Sequence, residues 1–267
     1  MSVPPWLTAL HARPFCRFKD SWFRMTNARA LRPVIDHAIG ADNMVFTHVP
    51  INEDIATPPG IPLPGAIVER LIAEASYHVV LKQCFCRTTW NCEQYPSGFG
   101  CTFLGEGARQ IHKGMGRHVG KDEALEHYRR ATEMGLVTII GKFLGDARGL
   151  GVRDHNRLMT ICHCCPCCCV RTATPYATRD YRDLFEKLEG LTVEVDSDLC
   201  LGCGTCVDAC IFASRSVSGG TAAVGEECRG CGLCATRCPT GASRLRIDDP
   251  DYIEECIARI GSHVNVW

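Results

Sequence analysis

Between Pro64 and Val79 the apolar residues Ile67, Val68, Leu71, Ile72, Ala75 and Val79 recur at spacings of three and four, the period that lines one face of a helix. Pro64 stands near the start, where a missing N–H does no harm, so the pattern predicts a helix that delivers the chain to Cys84. A second helix is predicted from about Asp122 to Met134, with Asp122 as N-cap or first-turn acid, Ala124, Leu125, Tyr128 and Ala131 inward, and Gly135 as its stop. The run Leu136 to Ile140 reads as a short strand, and further helices are expected around Asp180 to Leu188 and from Tyr252 to Ile260. Residues 1–60 show little helical period. They carry Trp6, Phe15, Phe18, Trp22 and Phe23 among prolines and arginines and run into a Pro/Gly-punctuated stretch, Pro58 to Gly65. This segment is read as an N-terminal arm packed against the body. Because no two-faced helix can be drawn through it, packing is favoured over a membrane-surface or partner-docking role.

Twenty cysteines in 267 residues change the picture. In a secreted chain they would suggest disulfides, but Met1 to Asp20 lacks an apolar h-region and a small-residue cleavage site, so a reducing, cytoplasmic setting is expected. There, cysteines at short fixed spacings bind metal more often than they bridge, since converging thiolates need a cation to offset their repulsion. No apolar run reaches the length of a transmembrane helix, which leaves at most peripheral membrane contact. The net charge of −1 conceals an asymmetry: from Tyr181 to Trp267, 14 acidic residues against 8 basic give −6. That acidic end is either a solvated surface or a docking face for a basic redox partner protein. No nucleic-acid partner is expected.

The specific chemistry lies near the C-terminus. Cys200, Cys203, Cys206 and Cys210 form C-x2-C-x2-C-x3-C, and Cys228, Cys231, Cys234, Cys238 and Pro239 repeat the run with its terminal proline. A tight loop with thiols every third residue supplies three corners of a cubane while its backbone N–H groups face the sulfides. Over residues 192 to 248 the chain resembles the bacterial dicluster 2[4Fe-4S] ferredoxins. The resemblance implies that the fourth cysteine of each run serves the other cluster, so that Cys200, Cys203, Cys206 and Cys238 hold one [4Fe-4S] cluster and Cys228, Cys231, Cys234 and Cys210 the second. Ile211 departs from the pattern where proline would stand after the first run. Zinc is the alternative; two interlocking four-cysteine runs suit cubanes better than zinc knuckles.

Ten more cysteines lie upstream: Cys84, Cys86, Cys92 and Cys101, then Cys162, Cys164, Cys165, Cys167, Cys168 and Cys169. In an extended segment i and i+2 face one way and i+1 the other, so Cys162 with Cys164, and Cys165 with Cys167, can serve different centres. One or two additional iron-sulfur clusters are therefore expected in the front domain, using up to eight of the ten thiols. Adjacent cysteines loosely resemble the CCG domains of heterodisulfide reductases, but Pro166 follows Cys164 and Cys165 where that family has glycine, and no residue role is carried over. Cys16 and Cys256 are isolated in sequence and read as non-ligands. His163 is read either as a ligand in place of a cysteine or, the favoured role, as a hydrogen-bonding group behind the ligands, and Arg87 either as offsetting cluster charge or as an ordinary solvated or paired arginine. Gly114, Gly116, Gly120 and Lys121 match neither phosphate-loop spacing.

Together these readings give an α+β chain: an arm (1–60), a mostly helical cysteine-rich domain (61–190), a small ferredoxin-like β/α domain (191–250) and a C-terminal helix (251–267). The function expected is single-electron transfer to a partner enzyme, as a component of an oxidoreductase system such as anaerobic metabolism uses. Two other classes stay open: a metal-based reductase acting on a small molecule at the front-domain centre, and a redox-sensing or scaffold protein.

Overall fold

A computed structural model describes residues 3–52 and 54–267. The segment read as an N-terminal arm carries regular structure. It forms helices α1 (Pro5–Arg17), α2 (Lys19–Met25) and α3 (Arg32–Ile39), and then strand β1 (Met44–Val49), which is buried along its whole length. Apolar positions in α1 are too few and too scattered to announce it from sequence; Thr8 and Cys16 are the residues it buries.

Helix α4 (Gly65–Glu74) buries Ile67, Val68, Leu71 and Ile72, as the periodicity predicts, but it ends before Val79. Val79 belongs to strand β2 (His78–Leu81), where burial on both sides makes a continuous apolar run that mimics helical spacing. After helix α5 (Phe85–Thr89) come β3 (Thr102–Leu104), β4 (Gly116–Val119), helix α6 (Lys121–Glu133), β5 (Val137–Phe143), helix α7 (Leu144–Leu150) and β6 (Met159–Cys164). The predicted helix at 180–188 is only one turn, α8 (Arg179–Arg182), followed by the two-residue strand β7 (Phe185–Glu186).

These strands make one seven-stranded sheet in the order β4-β2-β3-β6-β5-β1-β7, antiparallel except where β1 meets β7. The front of the molecule is thus sheet-centred, correcting the expectation of a mostly helical domain. At Gly141, where β5 crosses β1, φ is +155° and a Cβ would stand 2.0 Å from the Val45 carbonyl oxygen, so only glycine lets the strands close there.

The C-terminal part contains β8 (Leu191–Val195), helix α9 (Thr205–Asp208), β9 (Arg215–Ser218), β10 (Thr221–Val224), helix α10 (Leu233–Thr236), β11 (Ser243–Ile247) and helix α11 (Tyr252–His263). Besides the antiparallel pairs β8/β11 and β9/β10 there are two short helices, one within each cysteine run. Beyond a small cluster of Cys206, Ala222 and Cys234 flanked by Val193 and Val195, this part packs into the core of the front. Leu188, Leu191, Leu245, Ile247, Tyr252 and Ile260 pack into the same cluster as Val49, Ile67, Leu71, Leu104 and Ile161 of the front. Among the described residues no helix is long and apolar enough to cross a membrane.

Candidate metal centres

The two cysteine runs fold as near-copies. Each begins its short helix from a glycine in the left-handed region, Gly204 (φ 79°) or Gly232 (φ 81°), two residues after another, Gly202 (φ 62°) or Gly230 (φ 66°). At Gly202 a Cβ would meet the Gly220 carbonyl oxygen at 2.5 Å, so the loop lies flush against the β9–β10 turn. Backbone amides then donate to the sulfurs: Ala222 to Cys200 at 3.3 Å, Ser214 to Cys210 at 3.3 Å and Ser243 to Cys238 at 3.5 Å. Burial pushes the Cys238 thiol up, but the amides of Ser243 and Thr240 and the Thr240 hydroxyl outweigh it and bring it down to about 7. Donors placed this way favour thiolate and metal-bound sulfur alike.

One cavity is lined by Cys200, Cys203 and Cys206 together with Cys238, from the other run. Cys210 in turn lies close enough to Cys231 and Cys234 to act on their charge alongside Cys228. Burial raises both thiols, Cys234 to about 11. The residues therefore fit two cubanes with exchanged fourth ligands. Cys203 is exposed at the outer site beside Leu199 and Leu201, whereas Cys231 faces the protein interior, toward Arg171.

The front-domain thiols sort into two groups, and not by their order in sequence. Cys92, Cys165, Cys167 and Cys168 converge with all four sulfurs within 4.8 Å of one another. Cys167 lies 3.6 Å from both Cys92 and Cys168, and the Cys168 amide donates to Cys165 at 3.4 Å. A tetrahedral ion with metal–sulfur bonds of about 2.3 Å spaces its ligands about 3.8 Å apart, so this compact set suits a single ion better than a cubane. The loop carrying Cys92 is held by Arg87. Its fully buried guanidinium donates to the carbonyls of Pro96 (3.0 Å), His163 (2.8 Å) and Phe99.

The second group is a wider nest. Cys16 and Cys86 lie 3.8 Å apart, Cys164 and Cys169 3.1 Å, and Cys101 and Cys162 3.4 Å. Contacts of Cys86 with Cys84 and Cys169, and of Cys162 with Cys164, join these pairs. Hydrogen bonds from Cys164 and Cys86 hold Cys169 well below the usual thiol range, while Cys86 and Cys162 are pushed well above it by neighbouring sulfurs and burial.

The expected split along the tract is therefore realised, Cys162 and Cys164 going to the nest and Cys165 and Cys167 to the compact set. The expected grouping of Cys84, Cys86, Cys92 and Cys101 is not. Cys92 leaves the other three because the turn after α5 carries it to the far side of Arg87. Cys16, read as isolated, is brought to Cys86 by α1, a long-range juxtaposition with no local signal. Cys256 is buried against Glu189, away from every thiol group. His163 touches no sulfur; its ring contacts the Thr102 hydroxyl at 3.3 Å and packs edge-on against Phe99 and His127. Gly116 opens strand β4, so the glycines before Lys121 form no phosphate loop.

The paired loops, their shared cavity and their amide-to-sulfur bonds define a ferredoxin-type iron-sulfur module. In agreement, residues 192–214 and residues 225–244 each match a 4Fe-4S binding domain. These two domains support an iron-sulfur electron-transfer role. No curated protein and no solved structure matches the chain significantly.

Proposed function

We propose that this protein carries single electrons from an external donor, through its ferredoxin module, to metal held by the front-domain thiols and on to a partner redox enzyme. The observation that carries the reading is the cavity shared by Cys200, Cys203, Cys206 and Cys238, with Cys210 near the other set. When bound, [4Fe-4S] clusters supply reversible one-electron chemistry tuned by burial, charge and hydrogen bonds to sulfur. The chain's own residues set those conditions. Ala222, Ser214 and Ser243 donate amide N–H groups to ligand sulfurs, and the exposed Cys203 end, with Leu199, Leu201, Asp198 and Asp208 around it, offers a small apolar patch with an acidic rim for a basic donor protein. The single-ion spacing of Cys92, Cys165, Cys167 and Cys168 is compatible with iron as the electron terminus.

Ligand-resolved spectra of Cys238→Ala test the module. The first-run cluster should be disturbed and the second spared, with the converse for Cys210→Ala; each run closing its own cluster would refute the assignment. Exposure of Cys167 favours a second reading, in which the compact set binds and reduces a small molecule. A spectral change on adding a candidate disulfide or activated organic substrate, confined to the non-ferredoxin signal, would select it.

A further inference from the structure

Arg171 is 1 % exposed; no well-formed hydrogen bond reaches its Nε, Nη1 or Nη2, and the sulfurs of Cys164, Cys169 and Cys231 lie around it, with Cys169 in contact. Beside it His48 is fully buried with both ring nitrogens unpartnered, edge-on to Phe212, two residues after Cys210. A buried cation without acceptors costs several kcal/mol unless an anion faces it.

From these features we propose that the nest holds a further iron-sulfur cluster, ligated by Cys16, Cys86, Cys164 and Cys169, with Arg171 as the cation that offsets its negative charge. Those four thiols form an unbroken series of contacts built by three separate segments: α1, α5 and the end of β6 with the loop after it. Cys16, Cys164 and Cys169 are buried, so water is kept from the site. The four sulfurs fall into two close pairs, Cys16 with Cys86 at 3.8 Å and Cys164 with Cys169 at 3.1 Å, the arrangement of two thiolates at each iron of a [2Fe-2S] cluster. Its position is between the other centres. Arg171 touches the nest on one side and the field of Cys231 on the other, while Arg87 lies among Cys84, Cys101 and Cys164 of the nest and Cys165 of the compact set. The nest is thus the missing middle of the electron path proposed above, and it rests on that reading. Each transfer oxidises one centre by one electron and reduces the next by one, with a low-potential one-electron reductant as the ultimate source.

The test uses the full chain, purified and reconstituted anaerobically with iron and sulfide. With Cys92, Cys165, Cys167 and Cys168 all replaced by Ala, about ten irons and matching acid-labile sulfide should remain, against about eight for the ferredoxin module alone. Eight would overturn the nest cluster while leaving the module intact; fewer than eight would instead count against the ferredoxin reading. Should that variant not fold, Cys164→Ser/Cys169→Ser in the otherwise native chain should lose about two irons and one spectral component, and unchanged iron would overturn the proposal. Cys16→Ser should perturb the same component. Arg171→Gln should lower the midpoint potential of that component in a dithionite titration more than those of the ferredoxin clusters, and Arg171→Lys should restore part of it. An unshifted potential at native iron content would remove Arg171 from the proposal.

Discussion

Asp146 shows how one side chain's surroundings become a measurable slope. The residue is half-buried at the start of α7, its carboxyl accepts from the Thr160 hydroxyl at 2.8 Å, and loss of solvent around that carboxyl raises its pKa to about 6. A carboxyl raised in the folded state binds its proton there first, so the folded protein gains stability as pH falls from about 6 toward the unfolded value near 4. Above about 6 the penalty is fully present. Asp146→Asn is expected to raise stability at pH 7.5 by on the order of 1–2 kcal/mol, the gain vanishing near pH 4, as denaturant unfolding at the two pH values would show. Gly202 is the other single position with a clear consequence. Its left-handed φ and the 2.5 Å approach to the Gly220 carbonyl mean that Gly202→Ala strains the loop by roughly 1–3 kcal/mol. Loss of the first-run cluster signal with the second retained is the expected spectrum. At this scale the sequence was most legible where the pattern is local: both cysteine runs that match 4Fe-4S binding domains could be read from spacing. Cys16, Arg171 and His48 could not, because what matters about each is a neighbour made by the fold.

Helices with one wet face announced themselves, and α4, α6 and α11 stand within a few residues of where their periodicity puts them. Of the sheet, only β5 did so, through the run Leu136 to Ile140. Strands β1, β2 and β3 are buried throughout, so they lack the alternation that marks a half-exposed strand, and β7 is too short to leave a pattern. The loop between α5 and β3 depends on one residue for its shape. Arg87→Leu would leave the carbonyls of Pro96, Phe99 and His163 without their donor and should cost roughly 3–5 kcal/mol. With the loop released, Cys92 and Cys165 should react with an alkylating reagent several times faster in metal-free protein. Equal rates in the variant and the native chain would show that the guanidinium does not hold that loop.

At the scale of the whole molecule, the ferredoxin module and the front domain share one core, a fact hidden from sequence because the cysteine runs look self-contained. Ile260 on α11 is 1 % exposed within that core, so Ile260→Ala should cost about 2–5 kcal/mol. It should do so cooperatively, with the iron-sulfur absorbance and the far-ultraviolet signal lost in a single coincident transition; two separated transitions would mean the parts fold independently.

The chain's path through the core has a mechanical consequence. The front domain leads into the module, and the chain then returns: the Ile247 amide donates to the Ala56 carbonyl at 2.8 Å, Tyr252 donates to the Pro62 carbonyl at 2.5 Å, and the Ser76 amide donates to the Val266 carbonyl at 2.8 Å. Arg259 on α11 pairs with Glu186 and Glu189 and donates to the Thr47 hydroxyl at 3.0 Å. A module fastened at both ends cannot swing on a tether to fetch and deliver its charge. On the electron path proposed above, tunnelling between rigid, pre-set stations would replace carriage by a mobile arm, so the internal hop should proceed at the same rate in dilute buffer and in glycerol, while the bimolecular handover to a partner slows with viscosity.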